Sequence, residues 1–189
     1  QPRYTSLKND FLSCEDLEGV GSFDTTCLLN SNLFVNSDIH VFGTGNLEIL
    51  PSVSIACPVE GCIIHFNLSG NIKVGNNAAI IAGSVVFAAG NLTLGAESSI
   101  NTTALAGSPP SQTSGTPVGN DGAGGGHGGR GASCLKSNET SFWGGDVYCW
   151  SSLSKPWCYG SKGGSMSDQH KFGGKGGGRI LLHVKDVLS

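Results

Sequence analysis

A Gly-Asn pair recurs three times in this chain, at Gly45-Asn46, Gly70-Asn71 and Gly90-Asn91, at intervals of 25 and 20 residues. The residues downstream of each pair repeat as well. Leu47, Ile72 and Leu92 lie two positions beyond the glycine, Ile49, Val74 and Leu94 four, and Ile55, Ile80 and Ile100 ten. Upstream, Val41, Phe66 and Val86 each precede the glycine by four. Apolar and polar residues alternate within each copy, the period of a strand with one buried face. No such segment can bury that face alone, so the copies must stack and join their apolar columns. A period near 20 residues, made of strands without helices, predicts an all-β chain wound as a parallel β-helix, a solenoid rising by about 4.8 Å per turn. An antiparallel sandwich also spaces strands with turns, but does not align columns in this way. Gly-Asn at a corner suits an unusual backbone conformation, and stacked Asn side chains there would form a hydrogen-bonded ladder.

The longer first interval coincides with Cys57-Pro58-Val59-Glu60-Gly61-Cys62, which reads as a disulfide-closed bulge holding the extra residues. Residues 1–27 lack the repeat. Phe11, Leu12, Leu17, Val20 and Phe23 are expected to fold over the first turn as a cap, because a solenoid end otherwise exposes its core and strand edge. Leu28, Leu33 and Val35 read as an irregular first turn, and the β-helix turns are expected over 28–106.

From Gly107 the character changes: 20 of the 30 glycines lie between Gly107 and Gly178. A flexible linker is the simplest reading, but Phe142, Trp143, Tyr148, Trp150, Trp157 and Tyr159 crowd the same stretch, and aromatics at that density pack. Residues 107–178 are therefore expected to form a glycine-rich excursion packed on the solenoid, partly as extended polyproline-II-like chain. Residues 179–189 read as a further strand.

Seven cysteines occur without a CxxC spacing, which fits local staples in an oxidising compartment. The spacing predicts Cys14–Cys27, Cys57–Cys62 and Cys149–Cys158, leaving Cys134 unpaired. Sequons at Asn67, Asn91, Asn101 and Asn138 are expected to carry N-linked glycans. The chain begins at Gln1, as one trimmed or relieved of a signal would. Eleven basic and fourteen acidic residues give a net charge of −3, which argues against a nucleic-acid partner. No apolar stretch approaches the roughly 20 residues of a membrane span.

Some β-helix folds process acidic polysaccharides. Gly126-His127-Gly128 and Arg179-Ile180-Leu181, with Asp121 nearby, superficially resemble polygalacturonase-type motifs. Glycoside hydrolysis ordinarily needs two carboxyls at a defined separation, and the paired aspartates of those enzymes are missing here. A lyase would want clustered acids for calcium. The glycine run lacks the Gly-Lys-Ser/Thr of a phosphate loop, and the five histidines lack ligand spacing, so no metal or cofactor is expected. His127 reads as a turn residue and Arg130 as a surface cation.

Longer motifs carry a family resemblance. Cys14-Glu15-Asp16-Leu17-Glu18-Gly19-Val20-Gly21, Asp24-Thr25-Thr26-Cys27, Ala106-Gly107-Ser108-Pro109-Pro110, Gly122 through Ala132, Trp143-Gly144-Gly145-Asp146 and Tyr159 through Gly164 resemble the N-terminal part of a family of large plant glycine-rich proteins. The resemblance implies a secretory-pathway protein with a long extracellular region and a membrane anchor elsewhere. It brings no catalytic residues. The expectation is a secreted, non-catalytic structural or adhesive glycoprotein of the cell wall or matrix. Its expected partners are N-linked glycans, wall polysaccharide, and other copies meeting it through the solenoid ends as a filament. The alternatives are a pectin-type hydrolase or lyase, and a carbohydrate-binding receptor-like ectodomain.

Overall fold

The computed structural model describes residues 4–5, 12–115, 122–135, 141–142, 144–149, 157–164 and 173–189. Two compact units are found: Gln1–Thr102 with Ile180–Ser189, and Thr103–Arg179. Among the described residues the strands are β1 (Val20–Gly21), β2 (Thr26–Leu29), β3 (Leu33–Phe34), β4 (Ile39–Gly43), β5 (Asn46–Ile49), β6 (Ser54–Ala56) and β7 (Ile63–Leu68). They continue as β8 (Ile72–Val74), β9 (Ala79–Ile81), β10 (Ser84–Leu94), β11 (Ser99–Asn101), β12 (Cys134–Leu135), β13 (Ser141–Phe142) and β14 (Arg179–Leu188). The chain is all-β; a 3₁₀ turn at Glu15–Leu17 is the one helical element among these residues.

In the first unit the sheets are mostly parallel. One runs β1-β2-β5-β8-β10-β7-β4, with β14 also on β10; a second runs β11-β9-β6-β3. Leu47 is in register with Ile72, and Ile72 with Leu92. Ile55 pairs with Ile80, and Ile80 with Ile100. These columns point inward: Leu47, Ile49, Ile55, Ile72, Ile80 and Leu92 are buried in one apolar cluster.

Upstream of the Gly-Asn pair the alignment differs from that read in the sequence. Val41 pairs with Phe66, but Phe66 pairs with Phe87 rather than Val86. Strand parity decides this. Val85, Phe87 and Ala89 alternate into the core, so Val86 must face outward. Phe66 and Phe87 then meet inside, their centroids 5.7 Å apart. The extra residues of the first interval are divided accordingly. Ala56 to Ile63 spans seven positions where Ile81 to Ser84 spans three, so the disulfide bulge absorbs four of the five. The fifth lies between Phe66 and Ile72, where the counterpart Phe87-to-Leu92 segment runs straight through the 11-residue β10.

The unusual backbone conformation is not at Gly-Asn. Ser52, Asn77 and Glu97 are left-handed, with φ of 63°, 58° and 58°. Each lies seven residues beyond its glycine. Gly70 instead provides space: a Cβ there would stand 2.4 Å from Asn46 Oδ1 and 2.5 Å from Gly45 O.

At the N-terminal end, Leu12, Leu17 and Phe23 join the core, and Cys14 is bonded to Cys27. Val20 is 61% exposed: β1 lies antiparallel on β2, and Val20 sits outside, opposite Leu28. Phe11 lies outside the described residues. Leu29, Leu33 and Val35 are buried, whereas Leu28 faces outward.

The second unit is held differently. Gly124 N–H donates to Ala132 O and Gly145 N–H to Gly124 O, both at 2.9 Å; Gly126 N–H reaches Thr113 O at 2.8 Å, and Gly164 N–H reaches Ala123 O at 2.7 Å. Residues 123–126 thus bond to four other segments, whereas a strand in a sheet has two neighbours. Glycine is required for closeness, not for conformation. A Cβ on Gly126 would lie 2.3 Å from Asp146 O and from Gly145 O, and one on Gly145 would lie 1.8 Å from Thr113 O.

Candidate functional surfaces

The Gly-Asn corners build a ladder. Asn46 Nδ2 donates to Thr26 Oγ1 and Thr25 O, both at 3.3 Å. Asn46 Oδ1 accepts Asn71 N–H at 2.8 Å, and Asn71 Oδ1 accepts Asn91 Nδ2–H at 2.8 Å. Asn91 Oδ1 accepts Val187 N–H at 3.1 Å. The stack continues into β14: Ser189 N–H donates to Leu92 O and Leu94 N–H to Ser189 O, the pattern of parallel pairing. Beside the ladder, Lys73 Nζ meets Glu48 Oε1 at 2.6 Å, and these residues are register partners. β14 leaves Ile180, Leu181, Val187 and Leu188 exposed.

The sequons fall in different settings. Asn67 is exposed on β7, and among the described residues its side chain takes no hydrogen-bond partner. Asn101 is exposed on β11. Asn91 is half-buried, with its amide engaged at both ends. Asn138 lies outside the described residues.

The outward face of β4 and β7 carries features that sequence reasoning missed. His40 and His65 are register partners with ring centroids 5.8 Å apart, and the Phe42 ring lies 5.4 Å from that of His65. Partial burial, with the charge of His40, lowers the His65 pKa below the usual imidazole value. His40 Nε2 is 3.9 Å from Asp38 Oδ2, and Asp38 Oδ1 accepts Ile63 N–H at 2.9 Å. His40 and His65 are 25 residues apart, as are Phe42 and Asn67. The first interval of the repeat was the signal that pairs them.

In the second unit, His127 packs edge-on against Tyr148, with centroids 4.7 Å apart. Tyr148 is buried and donates its hydroxyl to Tyr159 O at 2.5 Å; burial pushes its phenol above the usual value. Ser161 Oγ donates to Gly126 O. Arg130 grips Asp146 Oδ1 through Nε and Nη2, at 3.1 and 2.6 Å. The Arg179 guanidinium carbon lies 4.1 Å from the Trp157 ring centroid and 4.0 Å from that of Tyr159, and Nη1 donates to Trp157 O. Arg179 and His127, the two residues of the polygalacturonase-like motifs, thus each lie against aromatic rings. Asp121, Trp143 and Trp150 lie outside the described residues.

Disulfides join Cys14 to Cys27, Cys57 to Cys62 and Cys149 to Cys158. Cys134 falls in β12, and its side chain lies outside the described residues. Near the N-terminus, the Ser13 N–H and hydroxyl bond to the Asp16 carboxylate and hold it below its usual pKa. Among the described residues, no three His, Cys, Asp or Glu side chains gather as a metal site would require, and no helix is long and apolar enough to cross a membrane. Comparison with family models, curated proteins and solved structures found no match.

Proposed function

We propose that this chain is a non-catalytic structural or adhesive glycoprotein module of the plant cell wall or matrix, built as a parallel β-helix. The asparagine ladder carries this reading. It links Thr26, Asn46, Asn71, Asn91 and Val187 through successive layers, as one continuous stack would require. A rod of this kind presents outward faces that are weakly charged and bear the sequons Asn67 and Asn101. The three disulfides support an oxidising, extracellular setting. The β14 edge, with four exposed aliphatic residues, offers the next layer of a stack to another copy. Head-to-tail contact of that kind propagates as a filament.

The test uses material secreted from a plant or other eukaryotic host. Electron microscopy reads assembly, and incubation with pectin-type polysaccharide reads catalysis. Regular filaments and intact polymer are the expected results. Polysaccharide cleavage abolished by His127→Ala would overturn the reading in favour of an enzyme.

A further inference from the structure

We propose that Phe42 is the platform on which the first sugar of an N-glycan at Asn67 rests. The proposal builds on the glycoprotein reading and goes beyond it by assigning a protein surface to the sugar. Phe42 is 53% exposed on β4, so one side of a large aromatic ring is open to a ligand. It is the register partner of Asn67 on β7. Val41 and Phe66, one position earlier on each strand, both point into the core, so Phe42 and Asn67 share the outward face. They stand about one strand spacing apart, roughly 4.8 Å.

On its other side Asn67 is paired with Ala88 of β10. His65, two residues before Asn67, packs edge-on against Phe42 and fixes the ring beside the sequon. The Asn67 amide is exposed and has no hydrogen-bond partner among the described residues, so nothing there competes with a linkage at Nδ2. Ser69, which completes the sequon, is exposed as well.

The chemistry of an N-acetylhexosamine suits this floor. One face of its ring presents C–H groups of slight positive polarity, and the face of a phenyl ring is negative. Stacking covers Phe42 and orders the glycan along the sheet. Asn91 and Asn101 are not register partners of an aromatic residue, so the effect is specific to Asn67.

The experiment is a double-mutant cycle on protein secreted from a eukaryotic host, with occupancy at each sequon mapped by mass spectrometry. Asn67→Gln and Ser69→Ala each remove the glycan, in the Phe42 and the Phe42→Ala backgrounds. Each is expected to lower Tm by about 2–4 °C when Phe42 is present and by much less when it is absent. Phe42→Trp should preserve the dependence. In the glycosylated protein, NMR should show upfield ring-current shifts of the first sugar's protons that vanish in Phe42→Ala. Equal losses in both backgrounds, or none in either, would overturn the platform while leaving the glycoprotein reading intact. A bare Asn67 beside an occupied Asn101 would likewise overturn it. If every sequon is bare, both readings fall.

Discussion

Asn91 donates its side-chain amide to Asn71 Oδ1 at 2.8 Å, across 20 residues of sequence and one strand of the stack. The bond needs an acceptor at position 71. Asn71→Ala should therefore cost about 1 kcal/mol, the usual net value of one such bond. Asn71→Asp keeps an acceptor oxygen and should cost less. Urea denaturation of the two variants checks the order. The same geometry separates the sequons: a sugar on Asn91 Nδ2 must compete with the ladder, so its occupancy should be lower than at Asn67.

Gly126→Ala should destabilise by about 3 kcal/mol, because the added methyl meets two backbone oxygens, of which Gly145 O already accepts the Gly131 N–H. Gly128 has nothing within 4 Å of a built Cβ and is not left-handed. Gly128→Ala should be neutral, or stabilising by about 0.4–1 kcal/mol through the unfolded chain. Hydrogen exchange across residues 112–164 would show loosening for the first variant alone.

Glu97 is left-handed and exposed. Glu97→Gly should raise stability by about 0.5–1 kcal/mol, since strain is relieved at some cost in chain entropy. The same change at Ser98, outside the left-handed region, should lower it. Thermal melts of the pair decide.

How far these features could be read in advance depended on their range. The inward columns Leu47-Ile72-Leu92 and Ile55-Ile80-Ile100 were legible because burial imposes a period that composition cannot hide. The slip from Val86 to Phe87 was not. Both residues are apolar, and only the unbroken run of β10 fixes which faces inward. Gly-Asn marked the right corner for the wrong reason: its glycine makes room, and the left-handed residue lies seven positions on. In the second unit, Arg130–Asp146 and Tyr148–Tyr159 come from segments with no common period, so nothing in the spacing joined them.

His65 carries a pH dependence. Its folded pKa lies below the unfolded imidazole value of 6.5 because of burial and the neighbouring His40. Between the two values the unfolded chain binds more protons, so stability should fall as pH drops from about 6.5 toward the folded pKa. Above that window the contribution is complete. His65→Gln should flatten the slope there and leave the acid loss tied to the lowered pKa of Asp16, below 3.8, in place. Chemical denaturation at a series of pH values reads both.

A non-reducing mass-spectrometric map of the secreted chain tests the central claim most directly. A stapled extracellular glycoprotein should show Cys14–Cys27, Cys57–Cys62 and Cys149–Cys158 closed, with glycans on Asn67 and Asn101. Free thiols at those positions, together with bare sequons, would contradict it.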